Sequence, residues 1–471
     1  MLLKNVFQRF ADRFPVCVMI QALLENAMDP KILDRLFGDC AEAQYQRELL
    51  FSSTVDLMSL VVSGVQPSVH AAYQADPESV GVSITSVYNK LVGIEPAVSA
   101  ALVRHNYRQL SPVVRGLKAC LPPILPGYST KILDGNAIAA TEHRIRELRT
   151  TREGALPGKS LVVLDPATML IADLIPCEDG HAQERSLFAQ LLRIVQPKEL
   201  WIEDRNFCTL GFLFGIADRK AFFVVRRHKG LPFENVTPWR AAGRVEGAAV
   251  SERRIIVQRG KDPEGTTEPN PRKTKELTIR CIRLTLDKPT RDGDRELFIL
   301  TNLPEKDANA CRIADIYRKR WTLETAFQTL TQCLSCEINT LGYPKAALFA
   351  FCVAVCAYNV ISTTKAALRS VYGRERIENE VSSYYLANEI SGVQRGMMAA
   401  IEPSEWVIFR SLDTMALVAL LIQLAEKVNL RRFRKHPRGP KKPQPRRIGK
   451  NGGHVSTAKL LAARKTKDSA P

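Results

Sequence analysis

At 471 residues the chain is longer than one hydrophobic core usually takes, which implies two to four domains. Apolar content of 45% with 25% charged residues excludes a disordered or fibrous chain and is ordinary for a globular one. The net charge of +18 is uneven: residues 431–471 hold 14 Lys and Arg against Asp468 alone, leaving only +5 for the rest. A basic tail on a near-neutral body reads as a polyanion-binding arm, most often for nucleic acid, the alternative being a solubilising tail.

The first thirty residues contain Asp12, Glu25 and Asp29 and no continuous apolar core, so no secretory signal is expected. Residues 1–120 read as a helical N-terminal domain. Within it, Gly81 to Gly93 and the periodic segment that follows suggest two helices joined at glycine, compatible with a helix-turn-helix-like DNA module and equally with a small bundle. Pro122, Pro123 and Pro126 mark a boundary.

Beyond the prolines the texture alternates. Lys131 to Asp134, Leu161 to Leu164 and Met169 to Ile175 read as three strands, the last two joined by an Asp165-Pro166 turn. A helix from about His181 to Val195, a strand from Glu199 to Asp204, a second helix and a strand from Ala221 to Val225 follow. Three strands, helix, strand, helix, strand is the element order of a ribonuclease-H-like α/β fold, so 121–227 is expected to form the first part of such a core. Residues 228–306 interrupt it with strand-like runs separated by glycine, proline and charge, and are expected to form a β-rich insertion. Helices resume over 307–430. The apolar run Ala346 to Ile361 is shorter than the ~20 residues a membrane helix needs and contains Asn359, so it reads as a core helix, with no membrane role. Residues 431–471 are expected to be a basic disordered tail.

The eleven cysteines are odd in number and lie mostly in apolar runs, as reduced thiols of a cytoplasmic protein do. Cys333-x2-Cys336 with Cys352-x3-Cys356 imitates a four-cysteine zinc site, but the second pair lies in the apolar helix, where cysteine acts as a small hydrophobe.

The stretch Tyr317-Arg-Lys-Arg320-Trp321-Thr-Leu-Glu324, carried on to Thr331, bears the most chemistry. Drawn as one helix at about 100° per residue, Tyr317, Arg320, Glu324 and Thr331 share a wedge about 60° wide. Ile316, Leu323, Phe327, Leu330 and Leu334 fall on a separate apolar stripe. An ordinary solvated face with an Arg320–Glu324 pair gives the same composition. A helix presenting a carboxylate to a metal, beside groups that grip a phosphate, requires the ordering itself. Two-metal phosphoryl chemistry needs acids converging on hard cations. Asp134 on the first strand, Asp204 at the fourth and Glu324 on the later helix occupy the three natural positions. Strand alternation turns Glu203 to the opposite face from Asp204; Glu142 and His143 are read as structural or supporting residues.

These residues resemble the DDE transposases of bacterial insertion sequences, specifically the IS-four group, over about residues 80 to 430. That group carries a Tyr-x2-Arg-x3-Glu-x6-Lys signature and a β-rich insertion before its catalytic glutamate. Tyr317, Arg320 and Glu324 match it in type and spacing, while Thr331 stands where the signature has lysine. Leu133-Asp134-Gly-Asn136 resembles the group's first aspartate strand and Glu203-Asp204-Arg205-Asn206-Phe207 its second. The resemblance implies Asp134, Asp204 and Glu324 as catalytic, holding two Mg²⁺ ions that Mn²⁺ could replace. It implies Tyr317, Arg320 and Thr331 as DNA contacts, double-stranded element ends and target DNA as substrates, and a homodimer in the synaptic complex of a cytoplasmic, nucleoid-associated protein. The reaction implied is cleavage at the element ends and transfer of the 3′-OH into target DNA. The group commonly stacks an extruded base on an aromatic of its insertion; Trp239 is a candidate that no motif fixes. Two rival readings stay open: a DNA-binding derivative without catalysis, and a nuclease without strand transfer.

Overall fold

The computed structural model describes residues 5–44, 46–139, 141, 145–151, 153–259, 275–290, 293–436 and 454–468; Glu142 and His143 lie outside them. Eight helices open the chain: α1 (Asn5–Arg13), α2 (Pro15–Ala27), α3 (Pro30–Cys40), α4 (Phe51–Val62), α5 (Val69–Ala75), α6 (Pro77–Val80), α7 (Ile84–Gly93) and α8 (Pro96–Gly116). Their boundaries are written in local chemistry. Asp29 caps α3 by accepting from the Lys31 amide at 2.9 Å, and proline begins α2, α3, α6 and α8, where the missing N–H costs nothing.

The strands are β1 (Ser129–Ala137), β2 (Gly154–Leu156), β3 (Lys159–Asp165), β4 (Leu170–Cys177), β5 (Glu199–Glu203), β6 (Phe222–Arg226), β7 (Glu234–Asn235), β8 (Arg240–Val245), β9 (Ala248–Arg259), β10 (Lys275–Leu286), β11 (Glu296–Thr301) and β12 (His454–Ser456). Ten of them form one mixed sheet, in the order β4-β3-β1-β5-β6-β11-β10-β9-β7, with β8 also on β9. The first five follow the expected element order, with β1, β5 and β6 parallel and β3 and β4 antiparallel beside them. Between β4 and β5 the structure differs from expectation. Instead of a helix over 181–195 there is a 3₁₀ turn (Glu184–Leu187) and then the short α9 (Phe188–Ile194). The helix α10 (Leu210–Asp218) connects β5 to β6.

Alternation along the central strands sorts their side chains onto two faces. Ile132, Val162, Leu164, Leu200, Ile202 and Val224 enter one core with the N-terminal helices. Leu133, Leu161, Val163, Trp201, Phe223 and Val225 enter another with Phe188 and Leu191 of α9 and Phe212 and Leu213 of α10. The first core reaches from Phe7 to Phe433, so residues 1–120 share it rather than closing on themselves. The second helix of the pair after Gly81, α8, is sunk in it, with Val98, Leu102, Leu110 and Val113 nearly inaccessible. Its other side keeps Arg108, Pro112 and Arg115 exposed.

The segment 228–306 carries the expected strands, but they extend the central sheet. Ile299, Leu300 and Thr301 of β11 pair with Arg226, Val225 and Val224 of β6. Five helices follow before the tail, after α11 (Ala310–Arg318) and α12 (Trp321–Cys333): α13 (Pro344–Tyr372), α14 (Arg374–Glu380), α15 (Ser383–Ala400), α16 (Pro403–Trp406) and α17 (Thr414–Glu426). By length and composition α13 could cross a membrane, but 94% of its most apolar window is buried inside the protein. Its Asn359 is fully buried and satisfied: Nδ2 donates to Asn106 Oδ1 and to the Ile171 carbonyl, both at 3.0 Å, and Oδ1 accepts from the Ile171 amide at 2.7 Å.

The tail is not disordered throughout. His454–Ser456 forms β12, parallel to β2, and α18 (Thr457–Asp468) follows. Leu460 packs with Ile145, Leu148 and Ala155, Lys459 pairs with Asp179 at 3.2 Å and Arg464 with Glu147 at 2.6 Å. A strand edge, an apolar anchor and acidic partners offset the ordering cost that charge density alone had argued against.

Candidate active site

β1 and β5 run parallel with Ile132 opposite Ile202. Asp134 and Asp204 each lie two residues beyond that pair, so both belong to the same end and the same face of the sheet. Glu203, one residue short, points the other way, as alternation requires. It is fully buried, neither carboxylate oxygen has a hydrogen-bond partner among the described residues, and burial pushes its pKa well above the usual carboxyl range.

Opposite this edge the chain makes an elbow rather than one continuous helix. Asn309 caps α11, accepting from the Arg312 amide at 2.9 Å, and α11 ends at Arg318. Across the joint the amides of Lys319, Arg320 and Thr322 donate to carbonyls three residues back, each at 3.0 Å, before α12 begins at Trp321. The tight turn interrupts the wheel on which the wedge was drawn. The apolar stripe still faces the core: Ile316, Leu323, Leu330 and Leu334 are buried and Phe327 half-buried. The approach to α11 is fixed from below. Arg280 of β10, paired with Glu252 at 2.5 Å and 8% exposed, also donates to the carbonyls of Leu303 and Ala308 at 3.1 and 2.7 Å.

The elbow brings five of the six expected residues together. Arg320 donates through Nη1 to Asp134 at 2.9 Å and through Nη2 to Glu324 at 2.7 Å, while its Nε is buried without a hydrogen-bond partner among the described residues. The Tyr317 hydroxyl lies 3.5 Å from Asp204 Oδ1, at the outer limit of a hydrogen bond. Thr331 stands apart, exposed, its hydroxyl donating to the Phe327 carbonyl of its own helix at 3.1 Å.

Burial dominates the electrostatics. It lifts the Asp134 carboxyl to about 6, with Asp204 and Glu184 adding to the rise and Arg320 and the Gly135 amide opposing it. Burial, with Asp204 next, raises the Tyr317 phenol to about 12. For Arg320 burial opposes the charge, yet Tyr317, Asp134, Asp204 and Glu324 together outweigh it and raise its pKa. Glu324, in the first turn of α12, sits where the helix dipole favours an anion.

Three carboxylates are a hard-oxygen donor set of the kind Mg²⁺ takes. As arranged, no group of three or more His, Cys, Asp or Glu among the described residues is gathered closely enough to hold an ion. The guanidinium of Arg320, bridging Asp134 and Glu324, supplies the neutralising charge. The four cysteines at 333, 336, 352 and 356 form no such group either; Cys352 and Cys356 are fully buried in α13, and burial raises both thiols.

Two features escaped the sequence pattern. Glu184 reaches over Gly135, where a Cβ would collide with its carboxylate, and so adds a fourth acid beside Asp134. Fifty residues separate the two, and no local spacing signals the approach. The second is a cleft of about 350 Å³ where Arg205, Arg226, Arg227, His228 and Lys229 meet Asp294 and Glu296, with Arg226 paired to Asp294 at 2.7 Å; its basic residues cluster at the end of β6. Trp239, by contrast, is already covered: the guanidinium groups of Arg253 and Arg283 lie 4.4 and 4.5 Å from its ring centre.

Residues 125–360 match the family described as Transposase DDE domain. Over 142 residues the chain is 28% identical to a Sinorhizobium fredii (strain NBRC 101917 / NGR234) protein named "Putative transposase y4zB". That match takes in 29% of this chain, which spans about a third (35%) of the relative. Among solved structures it is similar to the piggyBac transposase synaptic complex with hairpin DNA, at 9% identity over 84% of this chain and 83% of that one. The TM-score there is 0.38, too low to transfer any detail.

Proposed function

The chain belongs to the Transposase DDE domain family, and from that premise we propose that it is a DNA transposase of the IS-four group, cleaving the ends of its element and joining the freed 3′-OH to target DNA. The observation that carries this reading is the convergence on Arg320. Asp134 and Asp204 sit at one edge of two parallel strands, and Arg320 spans from Asp134 to Glu324 across that edge. The order β4-β3-β1-β5-β6 supports a ribonuclease-H-like core for 121–227 with 228–306 inserted in it and completed by 307–430.

Asp134, Asp204 and Glu324 are the residues that would hold the divalent cations. Mg²⁺, or Mn²⁺ in its place, supplies activation of the attacking oxygen and stabilisation of the leaving one when bound. Arg320 would have to release Asp134 and Glu324 to admit it, and a freed guanidinium is suited to fork onto a DNA phosphate. Tyr317, one turn of the elbow away, holds a protonated phenol that can donate to the same phosphate. Thr331 offers a hydroxyl without charge, leaving that part of the grip to basic groups such as those beside Asp204. Two DNA ends served by two such sites imply a DNA-bound homodimer.

The test incubates purified protein with labelled DNA carrying the repeats that flank its own gene, Mg²⁺ and a target plasmid, with Glu324→Gln in parallel. End-specific cleavage and a joined product, both lost in the variant, are expected. Salt-sensitive binding without cleavage by either protein, in Mg²⁺ or Mn²⁺, would sink the catalytic reading in favour of binding alone. Cleavage without joining would indicate a nuclease.

A further inference from the structure

A second face of α12, about a quarter turn from Glu324 at 100° per residue, lines a cavity of about 610 Å³. That volume is in the range of small-ligand sites. Lys365 and Arg369 of α13 reach into it, with Lys435 at its rim. Lys365 and Arg369 share one carboxylate, Glu378, which accepts from Lys365 at 3.2 Å and from Arg369 Nη1 at 2.9 Å, while the Lys435 ammonium donates to the Glu378 main-chain carbonyl. Arg369 is 5% exposed, and its Nη2 is buried with no hydrogen-bond partner among the described residues. The N-terminus of α15 opens onto the same space through Ser382 and Ser383, with no side chain capping it.

We propose that this cavity is a binding site for a phosphate group. An unpartnered buried guanidinium nitrogen is costly unless something accepts from it. The N-terminus of an 18-residue helix presents amides and a positive dipole end to an anion. Three cations against one acid leave a local excess of positive charge, which a phosphate oxygen set neutralises while accepting from Lys365, Arg369 and the α15 amides together. Burial depresses the Lys365 ammonium, with Arg369 and Lys435 adding to it against Glu378; a bound anion relieves that strain. The phosphate can belong to a free monoester or to the backbone of a nucleic-acid strand. The site is independent of DNA joining, so Glu324→Gln should keep it.

The experiment melts the full chain during titration with inorganic phosphate, with adenosine monophosphate and with a ten-nucleotide thymidine strand, ionic strength being held constant with chloride. A saturable rise in Tm is expected for wild type. Its half-point should move at least tenfold in Lys365→Gln and in Gln332→Glu, the second of which only adds a carboxylate at an exposed cavity-lining position. Tighter binding of the strand than of the two small probes assigns the phosphate to a nucleic-acid backbone, and the reverse assigns it to a free monoester. No saturable shift with any probe, or the same half-point in wild type and Gln332→Glu, overturns the site.

Discussion

Arg320 and Asp134, 186 residues apart in sequence, are joined at 2.9 Å, and the same guanidinium holds Glu324 at 2.7 Å. The pair links the interior strand β1 to a helix elbow, and the guanidinium neutralises two acids at once. Arg320→Lys keeps the charge but cannot fork to both carboxylates. It should lower folding stability by about 1–2 kcal/mol in urea unfolding, and Arg320→Ala by about 1–3 kcal/mol. Both should abolish end cleavage; a variant that is fully active and as stable as wild type would show that the bridge is incidental.

The acid side of the pair predicts a pH window. The folded Asp134 carboxyl lies at about 6, above its ordinary value. A carboxyl raised on folding binds its proton more tightly in the native state, so its contribution to stability declines as pH rises from about 4 to about 6. A divalent cation must displace that proton. The rise in Tm on adding Mg²⁺ should be full above about pH 7 and fade as pH drops through 6, and Asp134→Asn should remove it. A shift that grows toward acid pH would contradict the assignment.

Glu203 has the same sign in a stronger form, because none of the described residues partners its buried carboxylate. Glu203→Gln should be more stable than wild type at pH 8 by about 1–3 kcal/mol, the cost of a poorly compensated buried polar group. The gap should close as pH falls toward the ordinary carboxyl range. Chemical denaturation at several pH values measures it, and a gap constant with pH would exclude titration as the cause.

Asn359 ties α13 to both Asn106 of α8 and the edge strand β4. Asn359→Leu leaves the Ile171 amide and carbonyl and the Asn106 side chain unsatisfied in the core. A loss of about 2–4 kcal/mol is expected in thermal unfolding. A change below about 0.5 kcal/mol would mean that water replaces the amide.

These predictions draw on parts of the molecule that were unevenly legible beforehand. β1 and β3 to β6 stand close to where β-branched runs and turn residues put them, because those strands are buried and their patterning is local. Asp134 and Asp204 followed from that. The break at Lys319 and Arg320 did not: a wheel assumes 3.6 residues per turn, and three bonds to the third residue back leave no trace in composition. The pairing of β11 with β6 and the reach of Glu184 to Gly135 depend on long-range register, which residue type does not encode. Charge density misjudged the tail because one leucine and two acids elsewhere in the chain decide its docking.

Docking of β12 beside β2 gives α18 a fixed address on the molecule. Lys459 and Arg464 are thereby set against Asp179 and Glu147, so two of the charges that read as a polyanion-binding arm are engaged by the protein's own acids. A polyanion drawn to α18 has to compete with those carboxylates, and added salt weakens both contacts once its screening length falls to about 8 Å or less.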